Sequence, residues 1–263
     1  MSPIASVVLC VRNGERTLAR AIDSILCQTV ADIELIVVDD GSSDATGQIV
    51  GSYHDPRILS VRTDAIGLTA ALRTGMARAS AEIIARQDAD DISFPTRIER
   101  QLEVFQSRPD VVVVGVNWEE RDGLGRPLAP RIAFRPGDVG TSLLVANPIF
   151  HGAVAFRRSA YERVGGYDTT FRTAQDYDLW LRLAEIGVVW NHDEVLAVRT
   201  MDGTNIAATR EQQQHRAALR ARWSACRRRG TVRSWPQLTR GVVSVLVPPQ
   251  LKRPVRRLRG QAA

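Results

Sequence analysis

The 263-residue sequence contains a single lysine, Lys252. A phosphate loop of the Gly-x-x-x-x-Gly-Lys-Ser/Thr type therefore cannot exist ahead of that position, which excludes a P-loop nucleotidase. A phosphatase with an aspartyl nucleophile and a supporting lysine fails for the same reason. The first apolar run is followed by Arg12-Asn13-Gly14-Glu15-Arg16 rather than Gly-x-Gly-x-x-Gly, so a Rossmann dehydrogenase is excluded as well. Neither Gly-x-Ser-x-Gly nor His-Glu-x-x-His occurs, which removes the serine hydrolase and zincin classes. Cysteine is scarce: Cys10, Cys27 and Cys226 form no Cys-x-x-Cys pair and no even-numbered framework. They are expected to be reduced thiols of a cytosolic protein, with Cys10 and Cys27 in the core. Long apolar runs are missing too. Gly241 to Pro249 falls far short of the roughly 20 residues of a membrane span, and Met1 to Ala5 has no signal-peptide pattern.

Hydrophobic residues make up 44% and charged residues 24%, ordinary values for one α/β domain with additional material. The net charge of +6 conceals an asymmetry. Residues 210–263 hold fourteen Lys plus Arg against one acid, Glu211, which leaves twenty-one basic and twenty-eight acidic residues in the first 209. A mildly acidic body thus carries a strongly basic tail. Such a tail suits an anionic partner, a phospholipid surface or nucleic acid, and a merely solvated Arg-rich helix face is the other reading.

Along the first 118 residues, short β-branched runs alternate with helical patterns. Ser6 to Val11 and Ile33 to Val38 are continuous apolar runs of strand length, as in strands buried on both faces. Between them, Leu18, Ile22, Ile25 and Leu26 mark one face of a helix. After Asp39-Asp40-Gly41, Ser43 or Asp44 can cap a short helix reaching about Gly51. Further strands are predicted at Ile58 to Val61, Glu82 to Arg86 and Val111 to Val116. Helices are predicted at Leu68 to Ala79 and after Pro95, the latter with Ile98, Leu102 and Phe105 as its core face. This alternation predicts an α/β fold with a doubly wound, mostly parallel sheet flanked by helices. Glu119 to Gly140 reads as a loop or irregular sheet edge. A helix through Tyr177, Trp180, Leu181 and Ala184 closes at Gly187, and the last fifty residues read as poorly periodic helix broken by Pro248, Pro249 and Pro254.

In a doubly wound sheet, ligands collect outside the carboxyl ends of the strands. Two acid clusters fall at such ends, Asp39-Asp40 after the second strand and Asp88-Ala89-Asp90 after the fourth. Like charges gathered in one crevice repel, and a hard divalent cation, Mg²⁺ or Mn²⁺, with phosphate oxygens completing its shell is the simplest reason for them. Helix capping is the alternative; it accounts for Asp44, and even for Asp91 ahead of Pro95, but not for three acids in four positions.

Four segments now stand in a recognisable order: SVVLCVRNGERTLARAIDSILCQT, IELIVVDDGSSDAT, GLTAALRTGMARASAEIIARQDADDISFPTRIERQ and HGAVAFRRSAYERVGGYDTTFRTAQDYDLWLRL. Over about Ile4 to Thr204 the sequence resembles the inverting GT-A glycosyltransferases of family 2. The resemblance implies a GT-A-like sheet with a nucleotide-sugar-binding half (1–118), an acceptor and catalytic-base half (119–209) and a basic helical tail (210–263). It implies transfer, of the hexosyl type, from a nucleoside-diphosphate sugar to a hydroxyl of a glycan or lipid-linked acceptor, as in cell-envelope or extracellular polysaccharide synthesis. By resemblance Asp40, with Asp39, contacts the base or ribose; Asp88 faces the ribose or a metal-bound water; Asp90 coordinates the metal; and Asp176 is the catalytic base. A predicted helix start at Asp176 would lower its pKa through the helix dipole, and an N-cap Asp is the plainer reading of that position.

Several positions depart from the family pattern. Gln175 stands where Glu is frequent, Arg73 where Asn is common, and Arg12 replaces a frequent aromatic beside the nucleotide pocket. Val198-Arg199-Thr200-Met201 replaces a Tyr-Arg-x-His pattern. Arg73 and Arg12 are candidate donor contacts; His151, Gln175 and Trp180 are candidate acceptor contacts, with a structural hydrogen bond the alternative for His151. The tail, with Val242-Val243 and Val245-Leu246-Val247, predicts a cytoplasmic protein held peripherally on the inner membrane face. The remaining readings are a sugar-phosphate nucleotidyltransferase, whose Gly-rich, Lys-containing signature is absent, and a nucleic-acid- or membrane-binding protein on a degenerate transferase body. Nucleic acid is not an expected partner, because both acid clusters and Asp176 are intact.

Overall fold

The computed structural model describes residues 3–128, 135–201 and 211–230. The expected alternation appears as β1 (Ala5–Val11), α1 (Leu18–Leu26), β2 (Ile33–Asp40), α2 (Thr46–Ser52), β3 (Ile58–Thr63), α3 (Leu68–Met76) and β4 (Ile83–Asp88). A short β5 (Ile92–Ser93), α4 (Arg97–Ser107) and β6 (Val111–Asp122) follow. The second half contributes β7 (Gly137–Asp138), β8 (Ala155–Arg157), α5 (Arg158–Arg163), α6 (Gln175–Leu183), β9 (Val188–Met201) and α7 (Glu211–Arg229).

One nine-stranded sheet runs in the order β3-β2-β1-β4-β8-β6-β9-β5, with β7 paired to β9. Successive side chains of a strand face opposite sides, so the apolar runs feed two cores. Val7, Leu9, Leu35 and Val37 meet Leu18, Ile22 and Ile25 of α1 and Ile98, Leu102 and Phe105 of α4 on one face. Val8, Ile36, Val38 and Ile84 meet Leu72 and Met76 of α3, Leu179 and Leu183 of α6, and Ala221 and Ala225 of α7 on the other. Burial on both faces is what a parallel sheet requires, and it explains why these strands read as unbroken apolar runs.

The sheet is mixed and mostly parallel, as expected. The β1–β2, β2–β3, β1–β4 and β6–β9 pairs are parallel, but β8 enters between β4 and β6 antiparallel to both. Of the loop or irregular sheet edge expected from Glu119 to Gly140, the start is sheet. β6 continues to Asp122 by pairing its polar outer half with β9, from Trp118↔Ala197 to Asp122↔Met201. A strand buried on one side only, with register shifts, shows neither a clean alternation nor an apolar run, so β9 leaves little trace in the sequence. Of the thiols, Cys10 is buried, and burial raises its pKa to about 12; Cys27 is exposed, not in the core as expected. The segment from Val242 to Val247, its prolines and Lys252 lie outside the described residues.

Candidate active site

Register aligns the carboxyl ends of the strands. Cys10 stands opposite Val38 in β2 and opposite Asp88 in β4, so Asp39, Asp40 and Asp88 all end at one sheet edge. The strand order reverses between β1 and β4, which places the crevice of an open α/β sheet there.

On the β2 side, Asp39 and Asp40 are buried and internally bonded. Asp39 accepts from the Ser42 amide (2.9 Å) and from Arg62 (2.6 Å). Asp40 accepts from the Thr63 hydroxyl (2.8 Å) and from the amides of Ile66 (2.7 Å) and Gly67 (2.8 Å). These bonds fix the 41–43 turn and the entry to α3, where Ala65 holds a positive φ of 54° and Gly67 one of 90°. Asp44 accepts from the Thr46 amide as a cap would (3.0 Å), and also from Glu15.

On the β4 side, Asp88, Asp90 and Asp91 each offer a carboxylate oxygen within 4.8 Å of the others. Asp91 is not a helix cap. It is buried, accepts from the Thr200 amide across the sheet (2.9 Å), and burial beside Asp88 and Asp90 pushes its pKa well above the usual carboxylate range. Thr200 belongs to the Val198 to Met201 segment, which therefore reaches the acid cluster. A close set of hard oxygen donors fits Mg²⁺ or Mn²⁺. Gly152 packs against the same group; a Cβ there would run into Asp91 Oδ2 and stand 2.8 Å from Asp88 Oδ2.

Beneath the cluster lies Arg86, the one cation of the otherwise apolar start of β4 and fully buried. Its Nη1 pairs with Asp88 Oδ1 (2.5 Å) and points at the His151 carbonyl (3.3 Å), while Nε and Nη2 find no partner among the described residues. Burying a guanidinium is costly and a carboxylate partner offsets it; Arg86 is paired with Asp88 and also lowers the pKa of Asp176 at the start of α6.

Asp176 follows Ala174, held at φ 55°, a left-handed conformation that costs a non-glycine residue about 1–2 kcal/mol. Its Oδ2 accepts from Asn147 Nδ2 at 2.9 Å. The expected lowering of its pKa is overturned. Burial raises it, and outweighs the lowering by the Tyr177 amide, Arg86 and Asn147. For a proton acceptor this is the useful direction, because a base gains strength as its pKa rises.

Three expected contacts stand elsewhere. Arg73 lies in the last turn of α3 and donates to the carbonyls of Tyr167 (2.7 Å) and Gly165 (3.3 Å), because α3 runs away from the crevice it starts at. Trp180 is fully buried between the sheet and α7, 5.9 Å from the Phe156 ring and 6.1 Å from His151, so no acceptor reaches it. Gln175 is likewise buried. His151 shares a 2.9 Å hydrogen bond with the Tyr167 hydroxyl, and burial and Arg86 hold it neutral. Arg12 is exposed at the end of β1, beside the crevice.

The sequence reading missed Arg86, Asn147 and Gly152. A lone arginine in an apolar strand is a signal that can be read; Asn147 and Gly152 give none, since only the fold brings them to Asp176 and Asp88.

A mixed α/β sheet with an acid cluster at its carboxyl edge and a half-buried carboxylate at Asp176 is the arrangement of a GT-A-type transferase. The crystal structure of S. aureus TarS 1-349 in complex with UDP-GlcNAc has this fold: TM-score 0.70 at 15% identity, over 86% of this chain and 66% of that one. The family model described as Glycosyl transferase family 2 matches residues 6–165, and the chain belongs to that family, whose members are inverting enzymes. Among curated relatives, it is 36% identical over 194 residues to the putative glycosyltransferase EpsE of Bacillus subtilis, covering 70% of this chain and 68% of that one. It is 29% identical over 187 residues to the amylovoran biosynthesis glycosyltransferase AmsE of Erwinia amylovora, covering 69% and 70%.

Proposed function

We propose that this glycosyltransferase moves a sugar from a nucleoside-diphosphate sugar to a hydroxyl of a glycan or lipid-linked acceptor in polysaccharide synthesis. The carrying observation is the acid cluster of Asp88, Asp90 and Asp91 at the carboxyl edge of the sheet, suited to a metal and the donor's diphosphate. Arg86, buried and paired with Asp88, also lowers the pKa of Asp176, the carboxylate suited to the acceptor. The names of TarS, bound to UDP-GlcNAc, and AmsE, of amylovoran biosynthesis, support a UDP-sugar donor and a polysaccharide product.

In this reading residues 1–118 receive the donor and 119–209 the acceptor. Asp40 and Asp39 shape the loop that meets the base and ribose, Arg12 flanks it, and His151 lines the acceptor side. Asp90 and Asp88 would hold Mg²⁺ or Mn²⁺, which when bound supplies charge stabilisation for the departing diphosphate. Asp176 accepts the proton of the acceptor hydroxyl. That oxygen forms the new bond to the anomeric carbon as the bond to the β-phosphate oxygen breaks, and the nucleoside diphosphate leaves with the electron pair. Attack opposite the leaving group inverts the anomeric centre.

The test is a panel of nucleoside-diphosphate sugars with Mg²⁺ or Mn²⁺, measuring binding and donor hydrolysis for the wild type, Asp90→Ala and Asp176→Asn. The expected result is metal-dependent binding of one donor, lost in Asp90→Ala, and binding without turnover in Asp176→Asn. No donor bound under any metal, or full turnover by Asp176→Asn, overturns the assignment.

A further inference from the structure

Helix α7 (Glu211–Arg229) has two unlike faces. The inner one is spent on the body. Ala221 and Ala225 are fully buried against α6, Arg222 donates to the Tyr177 hydroxyl (2.9 Å), and Arg228 pairs with Glu185 (2.9 Å). On the opposite face Arg216, Arg220, Trp223 and Arg227 recur at spacings of four, three and four residues, and all four are exposed. At 3.6 residues per turn they fall within an arc of about 60°. Trp223 sits in the middle of the stripe and is 50% exposed, unusual for so large an apolar surface. Arg220 lies over the Phe171 ring at 4.5 Å and reaches Thr170, which ties the stripe to the body. No acid occurs between Gln212 and Gly230.

We propose that this outward face docks on a bilayer containing anionic phospholipid. An indole flanked one turn away on each side by guanidinium groups matches the interfacial region of such a surface. The ring takes the acyl–headgroup boundary and the arginines take the phosphates. Charge complementarity favours a plane over a nucleic acid. The first 209 residues carry seven more acids than bases, so a polyanion long enough to follow the protein surface would meet repulsion, whereas a plane meets only the protruding helix. Because α7 is bonded to Tyr177, the neighbour of Asp176, docking would also set the orientation of α6 and its base toward an acceptor held in the surface. That last point rests on the sugar-transfer reading; the docking itself does not.

The test is flotation of the full chain with vesicles of phosphatidylcholine alone and of phosphatidylcholine with phosphatidylglycerol, at low and physiological salt. The expected result is binding to the anionic vesicles only, weakened by salt. Arg216→Glu/Arg227→Glu should bind those vesicles about tenfold or more weakly, since each basic residue near such a surface contributes appreciably. Trp223→Ala should remove the tryptophan quenching caused by brominated lipid. Arg216→Gln/Arg227→Gln, milder, should fall between. Circular dichroism and nucleotide-sugar binding, unchanged in these variants, separate a failed surface from a failed fold and from a failed transferase assignment. Equal binding to both vesicles, no binding to either, wild-type binding by the double charge reversal, or capture of the protein by duplex DNA in preference to anionic vesicles overturns the proposal.

Discussion

At the scale of single residues, the site is a balance between carboxylates that burial would protonate and the donors that keep them ionised. Asp176 shows both sides: burial raises its pKa, while the Tyr177 amide, Arg86 and Asn147 pull it down. On the proposed role of Asp176 as the base, which works only when ionised, activity falls as pH falls through that pKa, and the acid limb of kcat/KM lies above that of a solvated aspartate. Asn147→Ala removes a donor that favours the ionised form and should move the limb to higher pH, with donor binding at neutral pH unchanged. A pH profile of the purified variant checks this, and an unmoved limb would show that another group takes the proton. Arg86 belongs to the same balance, and replacing it leaves Asp88 without its 2.5 Å partner. The acids could be read from their positions at strand ends, whereas Arg86, a lone cation inside an apolar strand, was missed. The reversal of the Asp176 shift could not, because a helix start was visible in the sequence and the depth of its burial was not.

At the scale of elements, glycine decides how closely layers approach. Gly75 in α3 lies flat against the sheet, and a Cβ there would stand 2.5 Å from Val8 Cγ1 and 3.1 Å from Val38 Cγ2. These are stiff β-branched side chains in the centre of the sheet, so they cannot yield easily. Gly75→Ala should therefore destabilise the protein by about 1–3 kcal/mol despite alanine's better helix propensity, read as a lower urea midpoint. A gain in stability would mean that α3 can lift off the sheet at little cost. The helices α1 and α4 were legible because their buried residues keep one face. α6 was legible as a helix but not in its surroundings: with the sheet on one side and α7 on the other, Trp180 has no exposed side left. β9 was the least legible element, a long strand whose partner lies nearly eighty residues earlier.

At the scale of the molecule, both halves share one sheet, since β8 of the second half is inserted between β4 and β6 of the first. A ligand bound at the β1–β4 edge should therefore stabilise the whole body. A nucleotide-sugar with Mn²⁺ at about a hundred times its Kd adds about 2.7 kcal/mol, which should raise Tm by about 5–10 °C at this chain length. A chelator should abolish the shift; a shift of the same size with the nucleotide-sugar and chelator together would argue against a metal at Asp88 and Asp90. Among the described residues no helix is long and apolar enough to cross a membrane. The sequence by itself determined the alternating elements, the acids at the strand ends and the charge contrast between body and tail, because each is written in neighbouring residues. Only the tertiary structure decided that Asp91 joins the acid cluster, that Arg73 and Trp180 leave the crevice, that Arg86 underlies both carboxylate groups, and that the arginines of α7 divide into a bonded face and an outward one. Those outcomes depend on distances between segments far apart in the chain, which chain folding sets and local spacing does not.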